Sequence, residues 1–215
     1  MFPRLYLLLR NLAYKNHRDI KVGNSLEIPV SAERRMKKVT IKLRGRNNRL
    51  VLGEGVQITH CEIRLDGEDN LIEVGARARF SSGKIYLKGT KGQHIRIGED
   101  TTVQGAYLLV DEAASIDIGK DCMLSTEIII RTGDKHSILD MHTGERINPA
   151  RDVCIGDRVW VGRCVQILKG TVLLPETVVG ACSVVSKAFA EGNCVVAGVP
   201  AKIVKRGIRW DRERL

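Results

Sequence analysis

From residue 155 onward an aliphatic side chain recurs at every sixth position: Ile155, Val161, Ile167, Leu173, Val179 and Val185. Four residues after each of the first five stands Val159, Val165, Thr171, Thr177 or Ser183, all small or β-branched, and a glycine follows the aliphatic at Gly156, Gly162 and Gly180. A helix of 3.6 residues per turn would scatter positions six apart around its circumference, and a plain strand alternates with period two without asking for small residues at one phase. A period of six suits a short strand and a tight corner, repeated on three faces per turn. The aliphatic points into a triangular interior, and the residue four later sits near a corner with room only for a small side chain. The pattern predicts an all-β, left-handed parallel β-helix of hexapeptide repeats. Its coils of 18 residues would stack ~4.8 Å apart through parallel ladders, wound against the usual right-handed crossover rule.

The phase continues upstream more loosely. An aliphatic–Gly pair followed by a small or β-branched residue occurs at Leu52-Gly53 with Val56, Val74-Gly75 with Ala78, Ile97-Gly98 with Thr101 and Ile118-Gly119 with Cys122. These are spaced by 22, 23 and 21 residues, so each coil carries a few extra residues in one corner. Turn-rich Gly67-Glu68-Asp69-Asn70 and Gly89-Thr90-Lys91-Gly92 supply the chemistry for those corners. After Ile130 the phase fails, and residues 131–152 are mostly polar. They read as one long loop thrown out from the coil, the kind of segment that carries function on a rigid scaffold. Residues 195–205 close the stack, whose last coil needs a cap. The expected organisation is an irregular basic segment over 1–50 with a first coil beginning near Val22-Gly23, the β-helix over 51–205, and a short C-terminal tail over 206–215.

Aromatics make up only 4% of the chain, so the interior must be built from Val, Ile and Leu. The net charge of +10 is uneven: residues 1–50 hold 13 Lys and Arg against 3 Asp and Glu, and the rest hold 22 of each sign. Such a basic stretch is either a solvated face or an attractor for a polyanion or an anionic membrane surface. No nucleic-acid motif accompanies it, and no nucleic-acid partner is expected. The apolar run Leu5–Leu9 is followed by Arg10 rather than a cleavage site, and no apolar stretch approaches the ~20 residues of a membrane span. Cys61, Cys122, Cys154, Cys164, Cys182 and Cys194 include no CxxC pair, so they read as reduced thiols of a cytoplasmic protein rather than as a metal site.

Three stretches resemble the hexapeptide-repeat acetyltransferases: the repeat from Ile155 to Val185, the segment Val196-Ala197-Gly198-Val199-Pro200-Ala201-Lys202, and the His-bearing loop before Val159-Trp160-Val161-Gly162. The wording of Ile118–Leu124, Asp134-Lys135-His136 and Gly144-Glu145-Arg146-Ile147-Asn148 is similar to O-acetyltransferases of bacterial capsules, of the polysialic acid type. The resemblance is strong over residues 97–205 and faint over 1–50. It implies a homotrimer with active sites between subunits, a loop histidine as general base, and acetyl-CoA lying along the C-terminal coils. The acceptor implied is a carbohydrate, with an anionic polysaccharide in keeping with the basic segment.

On that reading His136, in the Asp134-Lys135-His136 stretch, is the base, and His142 is the second candidate in the loop. Asp134 or a loop carbonyl would fix the imidazole tautomer. Trp160, between two inward valines, must point outward. There it packs on the loop or a neighbouring subunit, walls the acceptor site, or does both. Trp210 reads as an anchor for the tail. The coenzyme's phosphates call for Lys or Arg, for which Arg163, Lys169, Lys187, Lys202 and Lys205 are candidates. Gly180, Ala181, Ser183 and Ser186 would let its pantetheine arm approach the backbone. Three rivals share the fold: a zinc enzyme of the γ-carbonic-anhydrase kind, for which the histidine spacing is unsuitable, a non-catalytic scaffold subunit, and an N-acetyltransferase of an amino sugar nucleotide.

Overall fold

The computed structural model describes residues 15–214; the apolar run Leu5–Leu9 lies outside the described residues. The chain winds left-handed through about eight turns of a three-faced solenoid. The first turn holds β1 (His17–Ile20), β2 (Ser25–Glu27) and the single-turn α1 (Val30–Glu33). The second holds β3 (Lys37–Leu43), β4 (Arg49–Leu52) and the start of β5 (Gln57–Glu68), which rounds a corner into the third turn, with β6 (Leu71–Val74) and β7 (Arg79–Phe80). The fourth is β8 (Gly83–Lys91), β9 (His94–Ile97) and β10 (Thr102–Val103), and the fifth β11 (Ala106–Asp111), β12 (Ile116–Ile118) and β13 (Met123–Leu124). The sixth is β14 (Ile128–Arg131), β15 (Val153–Ile155) and β16 (Trp160–Val161), with the long loop between the first two. The seventh is β17 (Gln166–Ile167), β18 (Val172–Leu173) and β19 (Val178–Val179). The last comprises β20 (Val184–Val185), a lone bridge at Ala188, and the antiparallel hairpin of β21 (Cys194–Gly198) and β22 (Ala201–Arg206) that caps the stack.

Every other pairing between these strands is parallel. Strands in the position of β3 and β8 form face 1, those in the position of β4 and β9 face 2, and those in the position of β10 and β16 face 3. The two columns of the hexad pattern line the interior. Ile155, Val161, Ile167, Leu173, Val179 and Val185 are at most 3% exposed, and Val159, Val165, Thr171, Thr177 and Ser183 are fully buried. Each aliphatic removed from water contributes about 1.5–3 kcal/mol. The aliphatic–Gly signature has a steric cause: a Cβ on Gly53 or Gly75 would lie 2.5 Å from a backbone nitrogen of the next turn.

The extra residues of the wider turns all fall at the edge between faces 1 and 2. There β5 and β8 run on past the corner to pair Glu68 with Lys91, after a register shift between Leu65 and Gly67. The buried amides of Asn48 and Asn70 hold this edge: Asn48 donates to Asn24 Oδ1, Arg44 O and Gly67 O, and Asn70 donates to Asn48 Oδ1. Residues 17–50, which the hexad pattern leaves irregular, lie in register with the later turns. Their positive charge is largely paired with acids of the same or an adjacent turn: Arg18 with Glu33, Arg44 with Asp19, Lys42 with Glu62, Arg46 with Glu68 and Arg49 with Glu27.

Candidate active site

The long loop leaves face 1 after β14 and rejoins face 2 at β15. It is a small hairpin. Leu139 bridges Arg146, Ile147 N donates to Ile138 O at 2.9 Å, and the tip is turned by Asp140, whose Oδ1 accepts the backbone N–H groups of His142 and Thr143 at 2.8 Å. His142 is therefore at the tip and His136 on the stem, both exposed.

Asn148, 6% exposed, organises the stem. Its Nδ2 donates to His136 O and to Asp134 Oδ2 at 2.9 Å, and its Oδ1 accepts from Ile138 N at 2.6 Å. Lys169, on the next turn, donates to Asp134 Oδ2 at 2.5 Å and to Asn148 O at 3.0 Å. The Lys169 ammonium, then the Asn148 amide, hold the Asp134 carboxyl below its ordinary range. Arg146 grips Glu112 of the preceding turn at 2.6 and 2.9 Å. Asp134 thus meets Lys169 and Asn148 rather than the His136 ring, and it bears on the histidine through the backbone. Lys169, a candidate for coenzyme phosphate, is committed to the same clamp.

Trp160 lies on face 3, so β15 on face 2 separates it from the loop edge within one chain. Its indole is 39% exposed and packs on Trp210, ring centroids 6.1 Å apart. Trp210 is 5% exposed and donates its Nε1–H to Arg158 O at 2.6 Å, while Arg158 Nη2 returns a bond to Trp210 O at 3.0 Å. The edge between faces 2 and 3 stacks left-handed residues turn upon turn: Arg77, Asp100, Asp121, Arg158 and Glu176, with φ of 58, 59, 50, 53 and 61°. Opposite charges meet along this column except between Asp100 and Asp121. The tail's Arg212 closes that step, donating to Asp121 Oδ1 at 2.8 Å, Cys122 O at 2.9 Å and Thr102 Oγ1 at 3.0 Å. The C-terminal strap is thus held to the solenoid and forms one wall of a groove over face 3.

The other expected coenzyme residues divide between places. Gly180 lies just beyond β19 on face 3, with Ala181 exposed beside it and Arg163 one turn earlier paired with Glu127 at 2.7 Å. Ser186 and Lys187 are exposed beyond β20, the Lys187 ammonium 5.2 Å from the Phe189 ring centre. Lys202 and Lys205 are exposed on β22. Ser183 faces the interior, donating to Gly180 O at 2.7 Å and accepting from Gly198 N at 3.0 Å, so its hydroxyl is out of a ligand's reach. Asn148, Arg146 with Glu112, and the strap's Arg212 were not singled out by the sequence pattern. Asn148 closes the Gly144–Asn148 stretch noted above, but apart from Arg146 its partners are 10 to 21 residues away.

All six cysteines are free thiols. Burial raises Cys61 to about 12 and Cys122 to about 11, burial also raises Cys154, and the Glu127 carboxylate raises Cys164. Raised thiols are poor nucleophiles near neutrality.

No protein-family model matches the chain. It is 36% identical over 192 residues to a polysialic acid O-acetyltransferase of Neisseria meningitidis, a match spanning 89% of this chain and 87% of that one. It is 39% identical over 126 residues to a polysialic acid O-acetyltransferase of Escherichia coli O1:K1 / APEC, spanning 59% of this chain and 41% of that longer protein. The solved structure of the polySia specific acetyltransferase NeuO aligns with a TM-score of 0.82 at 30% identity, over 92% of this chain and 89% of that one.

Proposed function

This chain belongs to the polysialic acid O-acetyltransferases, and from that premise we propose that it moves the acetyl group of acetyl-CoA to a sugar hydroxyl of a capsular or other surface polysaccharide. The likeness over nearly the whole chain carries this reading. His136 takes the proton of the acceptor hydroxyl as its oxygen attacks the thioester carbonyl. The tetrahedral oxyanion is met by the Trp160 indole N–H or by backbone N–H groups. Collapse expels the coenzyme thiolate, and His136 returns the proton to sulfur. The raised thiols of Cys61, Cys122, Cys154 and Cys164 favour this direct transfer over an acyl-cysteine.

The site is completed between subunits of a homotrimer. Within one chain face 2 separates His136 from Trp160. The loop hairpin also carries Ile138, Leu139, Met141 and Ile147 at 56, 58, 88 and 58% exposure, apolar side chains that a neighbouring copy would cover. No helix among the described residues is long and apolar enough to cross a membrane.

The test incubates the protein with acetyl-CoA and polysialic acid, a neutral capsular oligosaccharide or an amino sugar, reading released thiol. Release with a polysaccharide supports the reading; release with the amino sugar alone replaces it by N-acetylation. Light scattering should give three times the 23.9 kDa chain mass, and a single-subunit mass would remove the intersubunit site.

A further inference from the structure

Two cavities of about 530 Å³ lie on neighbouring faces, and their linings have opposite character. The face 2 cavity is walled by Glu73, Glu99, Asp117 and Asp157, and its cations are engaged: Arg96 with Glu73 at 3.4 Å and Lys120 with Glu99 at 2.9 Å. The face 3 groove has no carboxylate in its lining. Its floor is a column in direct register from Gln57 through Arg79, Thr102 and Met123 to Trp160. Those four steps span ~19 Å at ~4.8 Å per turn. Ser81, Gln104 and Ser125 stand beside it as further polar groups.

The groove's two guanidinium groups differ. Arg212 is fixed by the strap contacts described above. Arg79 is exposed and has no ion-pair partner among the described residues. A guanidinium flanked by an amide and hydroxyls, with no acid to neutralise it, is suited to bidentate recognition of a carboxylate. The groove's far end adjoins the basic first turn. There α1 takes the place of a face 3 strand and runs into Arg34, Arg35, Lys37 and Lys38, with Arg35 Nη1 donating to Gly55 O at 3.4 Å.

We infer that the face 3 groove between Gln57 and Trp160 is the track for the acceptor, an anionic polysaccharide bearing carboxylates, and that Arg79 reads its charge. The inference rests on the acetyltransferase reading above and adds a place and a recognition residue to it. It lays the polymer along the solenoid axis with one end at Trp160, and it leaves the acid-lined face 2 unused by a polyanion.

The test is a titration with polysialic acid in the absence of acetyl-CoA, followed by tryptophan fluorescence, since Trp160 ends the groove and Trp210 touches it. At low salt Arg79→Gln should weaken the Kd roughly tenfold, the scale of one charge-assisted hydrogen-bonded contact. Arg79→Lys, which keeps the charge and loses the fork, should fall between the two. With a carboxyl-amidated polymer the difference between wild type and Arg79→Gln should vanish. Absence of binding by the wild type, an unchanged Kd in Arg79→Gln, or a drop in its oligomeric mass would overturn the inference, the last because the groove would then be a subunit interface. A parallel thiol-release assay separates the two readings: binding without transfer would strike the enzymatic reading and leave the groove standing.

Discussion

The loop at the edge of faces 1 and 2 and the groove on face 3 are built by different means. The loop contributes no residue to the apolar core of the solenoid. Its order comes from a few polar contacts, above all those of Asn148, Lys169 and the Arg146–Glu112 pair. The groove is the outer side of ladder strands whose inner side is the core, so its residues are placed by the same register that holds the molecule together. A proton-transfer group belongs on the first kind of structure, where its setting can be adjusted without repacking, and a binding track on the second. Substitutions in the loop should therefore change kcat and leave Tm alone, and those on face 3 should change KM and Tm together.

The largest effect tests the loop itself. His136→Ala should lower kcat by about 10²–10⁴-fold, the usual range for losing a general base, with acetyl-CoA affinity and Tm unchanged. His142→Ala, at the hairpin tip, should stay near wild type. Loss of turnover in His142→Ala with retention in His136→Ala would move the base to the tip.

Next comes the clamp. Asn148→Ala removes the bonds to His136 O, Asp134 and Ile138 N, and a misplaced base should lower kcat up to about 10²-fold. The pH profile distinguishes this from a change of base. The Asp134 carboxyl is depressed by Lys169 and Asn148, so its contribution is complete above the ordinary carboxyl range of about 3.9 and is lost only as the pH falls through the lower folded value. Between pH 5 and 8 the contribution of Asp134 to the clamp is constant. Asn148→Ala should lower the profile without displacing its acid limb; a displaced limb would mean that the amide tunes the base directly.

The same contrast governs what could be read from the sequence. In the narrow turns each hexad has one interior aliphatic and one interior small residue, so the period survives in the text. In the wide turns β3, β5 and β8 are 7, 12 and 9 residues long and continue alternating past the corner, which erases the phase and left residues 17–50 looking irregular. The recurrence of Asn24, Asn48 and Asn70 was the available signal for those turns. Trp160 could be singled out as a type out of place in the pattern, and His136 through the family resemblance of the Asp134-Lys135-His136 stretch. Their supports could not, because Asp134 pairs with a lysine 35 residues later and Arg212 with an aspartate 91 residues earlier.

On face 3 the larger effect should come from the strap's anchor. Trp210→Ala empties a site that is 5% exposed and frees the Trp160 ring. A buried Trp→Ala change costs about 3–5 kcal/mol, or about 10 °C of Tm for a chain of this size. Turnover should fall several-fold through the acceptor KM, with kcat little affected. A fall confined to kcat would mean that the strap serves the chemistry rather than the track, and would blur the contrast between loop and groove.

The smallest effect isolates why the strap lies where it does. Arg212 spans the like-charged step between Asp100 and Asp121, and its charge contributes to holding the Asp100 carboxyl low, after the larger hydrogen-bonded effect of Arg77. In Arg212→Gln the two carboxylates face each other without it. The groups are about a third to a half exposed, so solvent screens the repulsion, and Tm should fall only ~1–3 °C, the scale of one exposed pair. The loss should shrink toward high salt. Asp100→Asn removes the repulsion itself but also weakens the bond from Arg77. The informative quantity is therefore the double variant: Arg212→Gln should be milder in the Asp100→Asn background than in the wild type. Equal losses in both backgrounds would show that Arg212 holds the strap through its bonds to Asp121, Thr102 and Cys122 O rather than by relieving the like-charged step between Asp100 and Asp121. The electrostatic account of the groove wall would then give way to a hydrogen-bonded one.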